Sequence, residues 1–186
     1  MPETALWAAL FFLAGIGQEG RSVDPEPASL FEFDRAVAGE WIIVNDGVMG
    51  GLSSSRFTDS DSSFATFTGE LSLENNGGFS LARLSVPTME AAGFSKIVLE
   101  VKGDSKRYQF RLKEKKGQMH SYVHFFETHG DWQTIEIPFE KLIPAFRGRT
   151  MNLPDFAGDQ IEEIGLLVGN KKEEDFQIRI RTISLQ

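Results

Sequence analysis

From Phe31 to the end of the chain, apolar residues recur at every second position, so this chain must build strands that each bury one face. Ala65, Phe67, Gly69, Leu71 and Leu73 alternate with Thr66, Thr68, Glu70 and Ser72. Ile97, Leu99 and Val101 alternate with Val98, Glu100 and Lys102, and Tyr108, Phe110 and Leu112 alternate with Gln109, Arg111 and Lys113. Trp132, Thr134 and Glu136 oppose Ile135 and Ile137. Phe176, Ile178 and Ile180 oppose Gln177, Arg179 and Arg181, after which Ile183 and Leu185 fall out of step and predict a β-bulge or a bend. Turn pairs punctuate these runs at Asp46-Gly47, Gly50-Gly51, Gly77-Gly78, Gly103-Asp104, Lys116-Gly117 and Gly130-Asp131. After residue 30 no helical period is sustained; only Phe139 to Leu142, stopped by Pro144, reads as a helical turn. Eight or more short strands at this spacing predict an all-β fold, an antiparallel β-sandwich of the jelly-roll type with few short helices. The 16 Phe against 3 Trp and 2 Tyr predict a core of aromatic rings without a polar handle, and Trp41 and Trp132 are expected to be buried in it.

At 186 residues the chain has room for one ordinary domain. Lys and Arg number 19 against 27 Asp and Glu, a net charge of -8, which argues against nucleic acid as a partner because no basic footprint meets the phosphate backbone. The absence of Cys removes disulfides, thiolate metal sites and thiol nucleophiles. Ala5 to Ile16 is an uncharged, mostly apolar run about 18 Å long as a helix, short of the roughly 30 Å of a bilayer core, so no integral membrane span is expected. With small residues at Ala14, Gly15 and Gly17 it reads as a signal-peptide core, cleaved near Gly17 or Gly20, although Glu3 stands where a Lys or Arg belongs. Residues 1–20 are therefore expected to be a leader, 21–30 a linker carrying Pro25 and Pro27, and 31–186 the folded domain. Export to a periplasmic or extracellular space follows from that reading; a cytoplasmic protein with an amphipathic N-terminal helix is the alternative.

Motifs for chemistry are scarce. Gly47 to Gly51 matches neither dinucleotide nor P-loop glycine patterns, and no nucleophile elbow or HExxH occurs. Asp59, Ser60 and Asp61 begin like a calcium loop and lose the pattern at Ser63. His120 and His124 would stand about 13 Å apart on one strand, too far to share an ion. No metal, cofactor or catalytic group is expected. Arg111, Lys113, Lys115 and Lys116 read as a solvated hairpin tip around Gly117.

The informative stretch is Trp41 to Ser55, WIIVNDGVMGGLSSS, where a short apolar strand enters a glycine-dense loop. Two readings stand side by side: glycines and self-capping Asn45 and Asp46 that serve only the turn, or a ligand or partner contact. Trp41, the string Asn45-Asp46-Gly47-Val48-Met49-Gly50-Gly51 and Ser53 resemble the complex I intermediate-associated protein 30 family. The resemblance continues through Phe67, Gly69, Asn76, Gly78, Phe79, Arg83, Gly103-Asp104, Tyr108, Tyr122, Phe125, Trp132, Pro138-Phe139, Phe146-Arg147-Gly148, Ile164-Gly165 and Phe176. Asp175 departs from it where a glycine is expected.

The resemblance implies a galactose-binding-like jelly roll, similar to some carbohydrate-binding modules, and a non-catalytic role as an assembly chaperone for respiratory complex I. On that basis the expected binding residues are Asn45, Asp46, Gly47, Val48, Met49, Gly50 and Gly51. Arg83, Asp104 and Arg107 join them as a group that could meet at one rim of the sandwich, with an ion pair as the alternative. The expected partner is a protein, respiratory if the chain stays inside and an envelope protein if it is exported. A saccharide is the alternative ligand.

Overall fold

The alternation becomes strand along nearly its whole length. The computed structural model describes residues 25–32, 40–59 and 63–186. In chain order the strands are β1 (Ala28–Glu32), β2 (Ile42–Asn45), β3 (Ser54–Asp59), β4 (Ala65–Leu71), β5 (Ser80–Glu90), β6 (Lys96–Lys102) and β7 (Arg107–Lys113). They are followed by β8 (Ser121–Glu127), β9 (Trp132–Pro138), β10 (Ile143–Phe146), β11 (Arg149–Thr150), β12 (Gln160–Val168) and β13 (Glu174–Leu185). Two antiparallel sheets result: one ordered β3-β4-β13-β6-β9 with β1 also on β13, the other β11-β10-β8-β7-β12-β5-β2. Their inner faces close on a core that includes Phe67, Leu99, Phe110, Ile164, Ile178 and Ile183. The chain is an all-β, antiparallel jelly-roll sandwich, as its periodicity predicts.

Strand β13 shows how sequence sets position. Phe176, Ile178 and Ile180 point inward, then the register shifts between Ile180 and Thr182, so that Ile183 and Leu185 point inward in turn. This is the predicted bulge, and it takes Arg181 out of the alternation. Asp175 pairs with Glu70 as an ordinary strand residue, so the missing glycine leaves no mark on the backbone. Phe139–Lys141 is the predicted helical turn, here 3-10, while Pro144 opens no new loop but sits in β10.

Two expectations are corrected. Ala28 to Leu30, assigned to the linker, belong to β1: Ala28 pairs with Leu185, Ser29 with Ser184, and Leu30 is wholly buried. Trp132, expected inside, shares a face with Lys102 and Arg179 on the outer side of its sheet and is only half-buried. Trp41 does pack on the core, stacked on Phe57 at 4.3 Å and edge-on to Phe31 at 5.5 Å. The leader residues lie outside the described residues, as do Ser60 and Asp61 of the calcium-like run. No helix among the described residues is long and apolar enough to cross a membrane.

Because Leu30 is at 0% exposure, Leu30→Ala is expected to destabilise the protein by about 2–4 kcal/mol in urea unfolding. A neutral result would return residues 28–30 to the linker.

Candidate functional site

The loop after β2 is built around one carboxylate. Asn45 is extended, Asp46–Met49 make a single 3-10 turn, and Gly50 closes it at φ +88°, a left-handed conformation natural to glycine. Asp46 is wholly buried. Its Oδ1 accepts from the Ser53 amide at 3.1 Å, and its Oδ2 accepts from Ser53 Oγ at 2.5 Å, the Gly78 amide at 2.6 Å and the Phe79 amide at 3.3 Å. Gly51 and Gly77 exist to leave it room. A Cβ at Gly51 would overlap the Asp46 carboxyl, and one at Gly77 would stand 2.6 Å from Oδ2.

Burial alone would raise the pKa of Asp46, but the hydrogen bonds from Ser53, Gly78 and Phe79 outweigh it and hold the carboxyl below its ordinary 3.8. Beside it, Asn45 Oδ1 accepts from Ser55 Oγ at 2.8 Å and Ser80 Oγ at 2.7 Å. Ser55 lies on β3 of one sheet and Ser80 on β5 of the other, so the cluster staples the sheets together.

Asp104 does the same work nearby. It accepts from Lys106 Nζ at 2.8 Å, from the Tyr108 hydroxyl at 2.9 Å and from the Gln177 amide at 2.8 Å, joining β7 to β13. Burial, then the Asp104 charge, push the Tyr108 phenol well above its usual range. Arg107 lies over the Phe125 ring at 4.7 Å.

Arg83 sits elsewhere, on the outer face of the seven-stranded sheet. Partnered residues across adjacent strands form a row there: Ile42, Arg83, Gly165, Arg111, Val123 and Ile143. The next row is Val44, Leu81, Leu167, Gln109 and Phe125. Glu163 lies 3.0 Å from Lys113 Nζ and 3.8 Å from Arg83 Nη1. Arg111 Nη1 donates to Gln109 Oε1 at 2.6 Å. Burial pulls the Arg111 guanidinium below its usual value and the Glu163 charge acts against that shift.

The sequence-predicted rim group therefore does not assemble. Asp104 and Arg107 share an end of the sandwich, but the partners of Asp104 are Lys106, Tyr108 and Gln177, and Arg83 pairs with Glu163. Asn45 and Asp46 face inward, toward the serines and amides that they hold. Gly47 and Gly50 are exposed, with nothing within 4 Å of an added Cβ, and Gly51 is half-buried; the Val48 and Met49 side chains lie outside what is described. His120 is hydrogen-bonded to Gln118 and His124 to the Lys141 carbonyl.

The family is decided by sequence. Residues 31–180 match the profile of complex I intermediate-associated protein 30. The chain belongs to this family. No curated protein is a significant match. Among solved structures, this family member is similar to a family 11 carbohydrate-binding module from Clostridium thermocellum in complex with a beta-1,3-1,4-mixed-linked tetrasaccharide. The TM-score is 0.61 at 19% identity, covering 86% of this chain and 94% of the module. The family 11 module of a cellulosomal cellulase from the same organism gives a TM-score of 0.62, again at 19% identity with 86% and 94% covered. An agarase gives 0.56 at 12% identity over 86% of this chain and 24% of the enzyme. Identities this low show a shared fold and nothing beyond it.

Two features escaped the sequence. Leu52 and Leu73 flank the Ser53–Ser72 hydrogen bonds and stand 58% and 41% exposed. Gln109, Arg111, Lys113 and Glu163 form a part-buried polar floor on the outer sheet face. Alternation put the first three on the polar side of β7, but their burial depends on strands far away in sequence.

Asp46→Ala is expected to destabilise by about 2–4 kcal/mol, since it strands one buried and two half-buried amides and a hydroxyl. Because the folded-state carboxyl is the stronger acid, its contribution is complete above 3.8 and disappears as pH falls toward the depressed folded value. Urea midpoints measured across that window should draw closer together for the wild type and the variant as the pH falls. Parallel curves would mean Asp46 does not carry the charge.

Proposed function

We propose that this protein is a non-catalytic binding domain that holds a protein client during assembly of a larger complex, in the manner that its family's description suggests. The observation that supports the reading is the pair of loops pinned by Asp46. Apolar side chains held in water on fixed backbone lose little conformational freedom when a partner covers them. Leu52 and Leu73 are such side chains, and the three-residue turn behind them is tied by Asn75 Nδ2 donating to the Gly50 carbonyl at 3.0 Å. The glycine-rich string then serves presentation. Its Asp46 shapes the loops, and the leucines make the contact.

The apolar leader suits export, with an envelope client; without processing, the client is an intermediate of respiratory complex I. Fractionating expressing cells and weighing the intact protein separates the two, because a mass lacking about twenty N-terminal residues in the periplasm excludes the respiratory client. Leu52→Asp with Leu73→Asp is expected to abolish co-purification of the cross-linked client while shifting stability by no more than about 0.5 kcal/mol, as exposed positions do. Undiminished capture would remove these loops from the interface.

A second reading, a saccharide-binding module, is favoured by one specific feature: the fixed hydrogen-bonding groups on the outer face of the seven-stranded sheet.

A further inference from the structure

On that outer face, Gly165 separates two guanidinium groups. Arg83 on β5 and Arg111 on β7 both pair with Gly165 on β12, which puts their Cα atoms about 9–10 Å apart across two strand spacings. Gly165 has no side chain to fill the interval. A Cβ there would meet the Ala82 carbonyl oxygen at 2.9 Å and Leu81 Cδ1 at 3.2 Å, so Gly165 is buried under its neighbours and no side chain of its own stands between the arginines.

Neither arginine is saturated. Arg83 Nε is buried without a partner among the described residues, and its ion pair to Glu163 is a long 3.8 Å. Arg111 has a single acceptor, Gln109, and no carboxylate among the described residues lies within ion-pair distance of it. Glu163 is engaged more closely by Lys113. From Arg107 to Lys113 this face carries Arg83, Arg107, Arg111 and Lys113 against Glu127 and Glu163, a local excess of positive charge in a chain of net charge -8. Beside the arginines stands Phe125, 48% exposed, directly across from Gln109.

We infer that the Arg83–Gly165–Arg111 strip is a binding site for an acidic saccharide, with a uronate carboxylate held between the guanidinium groups and a neighbouring sugar ring packed on Phe125. Guanidinium donors in a planar fork match a carboxylate in two-point geometry. The face of the Phe125 ring that Arg107 does not cover takes the C–H face of a pyranose. An extended acidic peptide fits less well, because the arginines lie in a row across the strands and in the sheet's interior, away from the edges where a peptide strand would pair. The inference rests on the saccharide reading and is independent of the client-holding one.

Calorimetry of the full chain with tetragalacturonate, with its methyl ester, with a neutral mixed-linked glucan tetrasaccharide and with a short polyglutamate tests it. Tetragalacturonate is expected to bind, and to bind at least about tenfold more weakly to Arg83→Gln and to Arg111→Gln and after esterification, as loss of a charged two-point contact requires. Phe125→Ala is expected to weaken binding with no change in its salt dependence. Thermal midpoints of the variants show that the loss is not unfolding; Arg83, at the surface, is the variant to rely on if Arg111→Gln does not fold. Binding of the neutral glucan alone would overturn the acidic specificity and leave the saccharide reading standing. Binding of none of the three saccharides would overturn both, and polyglutamate binding at equal strength would reassign the site to acidic peptides.

Discussion

A buried carboxylate with four donors converging on it organises one end of this sandwich. Taking a charged group out of water is unfavourable by several kcal/mol unless hydrogen bonds replace the lost hydration, so Asp46 is tolerable only where the Ser53, Gly78 and Phe79 groups already point at it. Those donors come from segments 7, 32 and 33 positions away, which makes the carboxylate a long-range constraint as well as a local one. Once it is in place, the approach to β3 and the approach to β5 are fixed together, and these strands lie in different sheets. Asn45 extends the same tie through Ser55 and Ser80, and Asp104 repeats it between Tyr108 and Gln177. Hydrophobic contact holds the sheets face to face without specifying how the ends meet. Directional hydrogen bonds to a few acids and amides supply that specification.

This division explains what was legible in the sequence. Period-two patterns report the inner face of each strand directly, so the inward sets Phe67 and Leu71, Leu99 and Val101, and Phe110 and Leu112 follow from alternation, as does the parity change in β13. Strand β1 was hidden because Pro25 and Pro27 and a polar run colour its surroundings as linker, while only Leu30 and Phe31 carry its burial. Trp132 was misplaced by residue type: its own alternation with Ile135 and Ile137 already set it among Thr134 and Glu136, on the outside, where Arg181 lies over its ring at 4.1 Å. The identity of Asp46 was legible and its direction was not. An aspartate in a glycine-rich loop looks the same whether it faces a ligand or the amides of a distant turn, and only the fold brings Gly78 and Phe79 to it.

The two outer faces differ in how their charges are held. On the six-stranded sheet, Arg179 lies over Phe64 at 5.1 Å, Arg181 over Trp132 at 4.1 Å, and Arg181 also pairs with Glu100. These cations have aromatic faces or carboxylates against them, and the cluster is closed on itself. On the seven-stranded sheet Arg107 is held in the same way over Phe125, but Glu163 serves both Lys113 and, at longer range, Arg83, and Arg111 rests on a neutral amide. A guanidinium in that setting retains directed donors that water or a ligand must satisfy.

The physical demands on the two regions are separable, and this bears on how such a domain can serve different partners. Asp46, Gly51 and Gly77 are interlocked: a side chain at either glycine collides with the carboxylate, and loss of the carboxylate strands the amides it holds, so none of the three is free to change alone. Side chains on the outer sheet face bear no such restriction, because Arg83, Gln109, Arg111 and Phe125 project from strands whose register is set by the opposite, core-facing residues Ala82, Leu84, Phe110 and Phe126. Replacing an outward residue leaves the inward pattern intact. A fold tied at its end by a fixed carboxylate knot therefore keeps its architecture while the chemistry displayed on its sheet face is free to vary.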